Sequence, residues 1–220
     1  MSGENKPKDY SGVSPAVVKR LPRYYRYLRE LLRQNILRIS SSELSRMMNV
    51  TASQIRQDLN CFGGFGQQGY GYNVKYLYSN ISDILGVNNR YSAVIIGTGN
   101  MGRALVGSSM FDHRGVDLIG LFDSSPAVIG QTVGAYTVMD MKELKAFSAE
   151  HPIDIAILTV PKEVAREVAE QLAEIGIPGI WNFSSAEIQD KVTGAIVENV
   201  HMGDSLMKLM YEINTHEQIY

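Results

Sequence analysis

The residues best suited to chemistry are a run of glycines that follows a short apolar segment. Six residues form the pattern G-x-G-x-x-G, which begins at the last residue of the apolar run at 92–97: Gly97, Thr98, Gly99, Asn100, Met101 and Gly102. In such a loop the first glycine permits a tight turn, the second lets the backbone approach a pyrophosphate, and the third lets the next helix pack closely on the strand. The amides and the dipole at the start of that helix attract the diphosphate. The pattern predicts a dinucleotide site.

An acidic residue follows at the end of the next apolar run. Asp123 lies 21 residues after Gly102, and a carboxylate at this point binds the two hydroxyl groups of an adenosine ribose. The residues 124–126 are Ser-Ser-Pro and include no arginine that could receive a 2′-phosphate. The pattern therefore favours NADH and NAD⁺ over their phosphorylated counterparts. The alternative is a glycine-rich structural turn with an incidental aspartate.

Two later strand ends are expected to reach the same edge of the sheet. Strand C-termini line the ligand crevice in doubly wound sheets. We therefore predict further cofactor contacts, near the nicotinamide half, from Thr159, Val160, Pro161, Asn182, Phe183 and Ser184. Each of these two segments could instead be a simple turn.

Apolar runs alternate with helical patterns from residue 92 onward. Strands are predicted at 92–97, 116–122, 136–139, 154–160, 177–183 and 195–200. Helices are predicted at 100–111, 141–149, 162–175 (with Val164, Val168 and Leu172 as its apolar face) and about 204–213. The alternation predicts an α/β fold with a Rossmann-like, doubly wound parallel sheet covered on both faces.

The residues before position 90 have a different pattern, beginning with one helix over about 15–35. Its apolar stripe is Val18, Leu21, Tyr25, Leu28 and Leu32. Pro22 lies inside this pattern, where it either kinks the helix or marks a later start.

Two short helices and a glycine-rich hairpin come next, followed by a helix at 74–85 and a turn at 86–89. Ser41 or Ser42 can cap the first short helix, and Thr51 can cap the second, which runs from Ala52 to about residue 61. Ile55 and Leu59 form the inner face of the second helix. This order predicts a winged helix-turn-helix, with 51–61 as the recognition helix and 63–72 as the wing.

Charge is distributed unevenly along the chain. Residues 1–85 carry 12 Lys+Arg and 6 Asp+Glu (net +6), whereas residues 86–220 carry 9 and 17 (net −8). The basic part favours a polyanionic partner, and we predict contacts to double-stranded DNA from Arg20, Arg46, Thr51, Ser53, Gln54, Arg56, Gln57, Gln68 and Tyr70. The alternative is a small docking domain whose basic face is solvated.

Several classes of function are not expected. The single Cys61 argues against a disulfide framework and a cysteine zinc site, and the four histidines have no metal-ligand spacing. No apolar run approaches 18 residues and no signal peptide begins the sequence, so no membrane contact and a cytoplasmic location are expected. No catalytic motif or second catalytic domain is visible, so no catalytic residues are predicted and the dinucleotide is expected to act as a signal. An NAD- or CoA-linked enzyme with an N-terminal regulatory domain is the alternative.

Residues 14–211 together resemble the Rex family of redox-sensing transcriptional repressors. The matching segments are 19–26, 41–44, 54–59, 62–66, 69–72, 97–102, 157–161, 179–183 and 197–200. The resemblance implies a homodimer that binds operator DNA and is released by NADH, with NAD⁺ as the weaker competitor. It implies a tail at 1–13, a winged-helix domain at 14–86, an NAD(H)-binding domain at 90–201 and a C-terminal helix, within 202–220, that is exchanged between subunits.

The chain departs from the family pattern at a few positions. Gln57, Gln67 and Gln68 stand where basic residues are usual, which weakens the attraction to DNA or shifts the preferred sequence. His201 stands where some members carry an acid that pairs with the residue matching Arg26. Ser108 stands where some members carry an aromatic residue.

Overall fold

The structure is a computed structural model that describes residues 13–62, 66–67, 71–111 and 114–216. The chain divides between Asn89 and Arg90 into two compact units. Residues 1–12 of the predicted tail lie outside the described residues, whereas Val13 packs against the core of the N-terminal unit.

The N-terminal unit begins with two helices, α1 (Pro15–Val18) and α2 (Leu21–Arg33). A single helix over 15–35 is therefore wrong, and the later start is confirmed: Pro22 lies in the first turn of α2, where its missing amide costs no hydrogen bond. The predicted stripe is confirmed at Leu21 and Leu28. The other buried positions are Val17, Tyr24 and Leu31, and Val18 is exposed, while Tyr25 and Leu32 are only partly buried.

A helix-turn-helix follows the short strand β1 (Arg38–Ile39) and consists of α3 (Ser41–Met48) and α4 (Ala52–Asn60). The cap of α3 is Ser40, one residue before the predicted candidates. Its hydroxyl accepts a hydrogen bond from the Glu43 amide at 3.1 Å, and the Glu43 carboxylate accepts one from the Ser40 amide at 2.8 Å. The predicted cap of α4 is confirmed, because Thr51 Oγ1 accepts from the Gln54 amide at 3.1 Å.

A three-stranded antiparallel sheet completes this unit, in the order β1-β3-β2. The strands β2 (Gly66–Gln67) and β3 (Gly71–Asn73) form the hairpin of the wing, and α5 (Val74–Leu85) follows directly. The wing residues 63–65 and 68–70 lie outside the described residues, and with them the predicted DNA contacts Gln68 and Tyr70. The order of elements confirms the winged helix-turn-helix.

The C-terminal unit is built on a seven-stranded sheet in the order β10-β9-β8-β4-β5-β7-β6. Its strands are β4 (Tyr91–Ile96), β5 (Val116–Asp123), β6 (Thr132–Val133), β7 (Tyr136–Asp140), β8 (Ile155–Leu158), β9 (Gly179–Asn182) and β10 (Ile196–Asn199). All neighbours are parallel except β6 and β7. Without β6, this is the 3-2-1-4-5-6 order of dinucleotide-binding sheets, which confirms the predicted Rossmann-like fold.

Helices α6 (Asn100–Val106), α7 (Leu144–Glu150) and α8 (Lys162–Ile175) belong to the same unit. Alternate residues of β4 face two separate apolar clusters, so the sheet is covered on both sides. The inner face of α8 is Ala165, Ala169 and Leu172. Of the predicted face, Leu172 is buried and Val168 packs against the core, whereas Val164 is wrong, since it is 41% exposed. Alanines let α8 lie close to the sheet and leave the larger side chains at its margin.

The last helix, α9 (Met202–His216), is longer than predicted. Its large apolar side chains are each more than half exposed, namely Met202, Leu206, Met207, Leu209, Met210, Tyr211 and Ile213. Within the part of the chain that the structure describes, no helix, α9 included, has the length and hydropathy needed to cross a bilayer.

The capping box of α3 gives a test of the local fold. Ser40→Ala removes the hydroxyl that accepts from the Glu43 amide, a change that costs about 1 kcal/mol. We expect amide hydrogen exchange in the first turn of α3 to accelerate about fivefold, since ~1 kcal/mol corresponds to that factor. Ser42→Ala, which changes an exposed serine inside the same helix, is the control. Equal rates in both variants would contradict the capping assignment.

Candidate nucleotide and DNA sites

The glycine loop lies between the carboxyl ends of β4 and β8, where the strand order reverses. Gly97 has a φ of +94°, and a Cβ there would lie 2.9 Å from the carbonyl oxygen of Thr159. A Cβ at Gly102 would overlap the carbonyl oxygen of Gly97. The Thr159 hydroxyl donates to that same carbonyl at 2.6 Å. Only glycine fits at both positions, as the pattern predicts.

Gly99 differs from its two neighbours in the motif. Its φ of −68° suits any residue, and a Cβ there would meet no described atom within 4 Å. It is the N-cap of α6 and supplies no side-chain cap to the first amides of that helix. The packing of the chain therefore does not require glycine at 99, whereas the approach of a phosphate to the backbone does.

Asp123 is fixed beside this loop by three hydrogen bonds. Its Oδ2 accepts from the amide of Thr98 at 2.6 Å and from the hydroxyl of Thr98 at 2.9 Å, and its Oδ1 accepts from the amide of Ser125 at 2.9 Å. Burial raises the pKa of Asp123, but the hydrogen bonds outweigh burial and bring the pKa below its usual value. The carboxylate is therefore charged at neutral pH, which suits ribose hydroxyls and repels a 2′-phosphate.

A cleft of about 660 Å³ opens at this edge of the sheet. It brings together six of the predicted cofactor residues: Gly97, Gly99, Asp123, Thr159, Val160 and Pro161. Sequence reasoning missed the rest of the lining, which is Ile96, Ser124, Met141, Val164, Glu167, Val168 and Gln171. The sequence did offer a signal for the last four of these residues. They lie in the first three turns of the helix after Pro161, and that helix starts at a strand end that borders the crevice.

The other predicted cofactor residues have different surroundings. Asn100 and Met101 begin α6. Thr98 is buried, and its hydroxyl donates a hydrogen bond to Asp123. Phe183 packs edge-on against Trp181, with ring centroids 4.6 Å apart. The contacts of Thr98, Asn100 and Met101 to the coenzyme stay predictions, as do those of Asn182, Phe183 and Ser184 to its nicotinamide half.

Asn182 and Ser184 bond to each other instead of lining the cleft. The Asn182 Oδ1 accepts from the amide of Ser184 at 3.0 Å and from its hydroxyl at 2.6 Å. The Asn182 Nδ2 donates to Ala186 O and to Asn199 Oδ1 at 2.7 and 2.8 Å. Both donors and both acceptor positions of this amide are thus taken within the chain.

Arg103 was not identified from the sequence, although it supports the loop from outside. Its Nε donates to the carbonyl of Thr98 at 2.9 Å, and its Nη2 donates to Gln131 Oε1 at 2.7 Å.

Among the described residues, no group of three or more His, Cys, Asp or Glu side chains could hold a metal ion.

The predicted DNA contacts on α3 and α4 are largely exposed. Ser53, Arg56 and Gln57 face solvent on α4, Thr51 precedes that helix, and Arg46 is exposed on α3. The Arg56 Nη1 donates to the hydroxyl of Ser41 at 3.1 Å, which directs its guanidinium toward the start of α3.

A buried carboxylate fixes α4 to α2 and to Arg20, the residue before α2. Asp58 is fully buried and accepts four hydrogen bonds: from Arg20 Nε and Nη2 at 2.7 Å each, from the Tyr24 hydroxyl at 2.9 Å and from Gln54 Nε2 at 2.8 Å. Burial raises the pKa of Asp58, but the bonds from Arg20, Gln54 and Tyr24 outweigh burial and lower it. Asp58 is therefore an ionised group that positions the recognition helix.

Two of the predicted DNA contacts, Gln54 and Arg20, belong to this network. Gln54 is half-buried and its amide donates to Asp58, so it does not face outward as expected from the helix pattern. Arg20 uses two of its nitrogens on Asp58, and its side chain is 25% exposed. Contact of either residue with DNA stays a prediction, whereas their role in holding Asp58 is visible.

Two family models match the chain. One, described as a putative DNA-binding protein N-terminus, matches residues 12–60, and one described as a CoA binding domain matches residues 88–186. The chain is 51% identical over 202 residues to the redox-sensing transcriptional repressor Rex of Caldicellulosiruptor saccharolyticus, covering 92% of both chains. It is 51% identical over 207 residues to that of Caldanaerobacter subterraneus, covering 93% of this chain and 91% of the relative.

Solved structures of a Rex-family repressor called RSP are similar over the whole fold. RSP alone has a TM-score of 0.86 at 47% identity, covering 94% of this chain and 96% of RSP. RSP with NAD⁺ and operator DNA has a TM-score of 0.84 at 48% identity, with 94% and 95% covered. RSP with NADH has a TM-score of 0.86 at 45% identity, with 94% and 97% covered.

The open space at Gly99 predicts a variant that folds but does not bind nucleotide well. Gly99→Ala places a methyl group where no described atom lies, so the fold should be kept, but the methyl group blocks the phosphate. We expect the Kd for NADH, measured by titration calorimetry, to rise roughly tenfold (~1.4 kcal/mol). Gly107→Ala, at the other end of α6 where the nearest atoms are 4.0 Å away, is the control and should bind normally. Unchanged NADH binding in Gly99→Ala would contradict the assignment.

Removing the cation from the Asp58 network should destabilise the N-terminal unit. Arg20→Ala leaves a buried carboxylate without its counter-ion, which costs about 3 kcal/mol. We expect a lower urea midpoint for this unit by circular dichroism, whereas Arg46→Ala, which removes an exposed arginine, should stay within about 0.5 kcal/mol of the original.

The same network predicts a dependence on pH. Because the pKa of Asp58 is lowered on folding, its stabilising contribution is complete above its unfolded pKa of about 3.9 and is lost as the pH falls through the folded pKa. Arg20→Ala should therefore lose less stability than the original protein between neutral pH and pH ~3. Identical acid profiles for the two proteins would argue against this role for Asp58.

Proposed function

The chain belongs to the Rex family of redox-sensing transcriptional repressors. On that basis we propose that it stays bound to operator DNA until it binds NADH, which causes it to dissociate from the DNA. The observation that carries the proposal is that one chain combines a recognition helix with a dinucleotide loop, in a fold shared with a repressor at 47% identity. The ratio of NADH to NAD⁺ is then the signal to which transcription responds.

We infer that the cleft beside Gly99 binds the coenzyme. RSP is described with both NADH and NAD⁺. The charged Asp123 fits the ribose hydroxyls, and the glycine loop fits the pyrophosphate. The bound coenzyme supplies the redox signal, because its nicotinamide ring is cationic in NAD⁺ and neutral in NADH. An apolar nicotinamide pocket would disfavour the cation, since burying an unpaired charge is costly.

The winged helix-turn-helix is the proposed reader of operator DNA. RSP is described in complex with its operator. The exposed side chains of α4 suit a major groove, where arginine reads guanine and glutamine reads adenine, while Arg46 suits the phosphate backbone. Asp58 holds α4 in place for this contact without touching DNA itself.

We propose that α9 is exchanged within a homodimer. Its apolar side chains are more than half exposed in a single chain, and a second copy would cover them. A dimer presents two recognition helices, which must reach major grooves about 34–36 Å apart or a multiple of that distance. A rotation that changes this spacing releases the DNA. Driving occupancy from 1:99 to 99:1 requires a ligand preference of about 5.5 kcal/mol between the two states.

An enzyme is the weaker alternative. The match of residues 88–186 to a CoA binding domain is the observation that favours this alternative. The relatives that match over nine-tenths of the chain are named repressors, so the repressor function is the better supported of the two.

We also propose a cytoplasmic location, since a protein that binds operator DNA and reads NADH works where both occur.

The direct test is operator binding titrated with each nucleotide. We expect a gel shift with operator DNA of a Rex-family repressor to be abolished by NADH, and NAD⁺ to act only at much higher concentration. Equal effects of NADH and NAD⁺ would overturn redox sensing. Binding should also weaken steeply with added salt, because phosphate contacts release counterions.

Two variants separate the two sites in this experiment. Asp123→Ala should weaken both nucleotides and keep operator binding, whereas Arg56→Ala should keep NADH binding and lose operator affinity by about 1–3 kcal/mol. The two substitutions each serve as the control for the other. A variant that lost both activities would contradict the separation of the sites.

A further inference from the structure

A chain of polar side chains connects the carboxyl end of β9 to the start of α9. It begins at Asn182, which is buried at the end of β9 and whose amide is fully hydrogen-bonded within the chain. One of those bonds runs from Asn182 Nδ2 to Asn199 Oδ1, at the end of the neighbouring strand β10. The backbone adds a parallel link, because the amide of Val200 donates to the carbonyl of Asn182 at 2.8 Å.

The chain continues outward through the carboxylate of Glu187, which contacts two side chains. Glu187 Oε2 accepts a hydrogen bond from Asn199 Nδ2 at 3.1 Å, and Glu187 Oε1 lies 2.9 Å from His201 Nε2. His201 is the residue immediately before α9. Each amide thus has one fixed orientation, since Asn199 accepts through its oxygen and donates through its nitrogen.

The loop that carries Glu187 is itself held tightly. Ser185 has a φ of +61°, a left-handed conformation that a serine adopts only when its surroundings hold it there. Ser184 and Ala186 on either side of it are both bonded to the Asn182 amide. The segment that carries Glu187 is therefore tied to the end of β9 by short, directional hydrogen bonds.

Within a single chain, α9 is positioned by this connection and not by packing against the core. The helix is exposed along its length in the chain, so the core of its own chain does not fix its direction. The hydrogen bonds at residues 199–201 fix the point from which it leaves the sheet. The outer pair is accessible, with 30% of the His201 side chain and 73% of the Glu187 side chain exposed.

We propose that Asn182, Asn199, Glu187 and His201 form a positioning relay that couples the nucleotide edge of the sheet to the direction of α9. This inference rests on the proposed function, in which the coenzyme binds at the carboxyl edge of the sheet and α9 joins two subunits. Glu187 and His201 act through α9, so they set how strongly NADH and operator DNA oppose each other. They do not set the affinity of either ligand alone.

The experiment measures the Kd for NADH twice, for the free full-length protein and for its operator complex. The ratio of the two values is the coupling between the sites, and it is the same for either order of binding. Glu187→Ala and His201→Ala should lower this ratio about fivefold, which corresponds to ~1 kcal/mol for one lost polar contact. The Kd for NADH of the free protein and the operator affinity without nucleotide should each stay within about twofold.

Matched variants distinguish a relay from a general loss of structure. Glu198→Ala removes an exposed carboxylate from the adjacent position of β10 and should leave the ratio unchanged. Glu187→Gln keeps an acceptor for Asn199 and a group that bonds the imidazole, so it should restore the ratio to within about twofold of the original.

The outcomes are distinct. An unchanged ratio in Glu187→Ala and His201→Ala, an equal loss in Glu198→Ala, or a Glu187→Gln protein as defective as Glu187→Ala would each overturn the relay. Failure of NADH to release the original protein from DNA would instead overturn the proposed function, and the unmodified protein shows that outcome without any variant.

Discussion

The nucleotide site depends on one steric constraint at the centre of the seven-stranded sheet. The backbone of α6 lies against the carbonyl of Gly97 so closely that no side chain fits at Gly102. This contact fixes where α6 begins and which amides face the cleft. It also places Thr98 beside Asp123, whose carboxylate is then held charged by the Thr98 amide and hydroxyl. The shape of the loop, the start of α6 and the bonds that hold Asp123 charged therefore belong to one tightly packed region.

The DNA-binding unit is organised around the opposite kind of interaction, a buried charge. Asp58 is surrounded by a cation and two neutral donors, and together these join α4 to α2 and to the residue before it. Burial of such a group is tolerated only with full hydrogen bonding, so the network defines one orientation of the recognition helix. Rigid presentation matters here because base contacts require an accurate fit in the groove.

The sequence predicted best what depends on neighbours in the chain. The glycine loop and the Thr51 cap rest on local patterns, and both are present. The helix around Pro22 was only partly predicted: the helix breaks at residues 19–20, and Leu21 and Leu28 are buried as expected, but Tyr24 and Leu31 are buried where Tyr25 and Leu32 were expected. The roles of Asp58 and Asn182 were out of reach, because their partners lie up to 38 positions away and only the fold brings them together.

The aromatic pair at the end of β9 gives the protein an intrinsic optical probe. Trp181 is the only tryptophan in the chain and packs against Phe183 in the coenzyme-binding unit. Indole emits light at wavelengths that a dihydronicotinamide absorbs and an oxidised nicotinamide does not. Quenching of Trp181 by energy transfer therefore distinguishes the reduced coenzyme from the oxidised one without any label, and the DNA-binding unit contributes no tryptophan background.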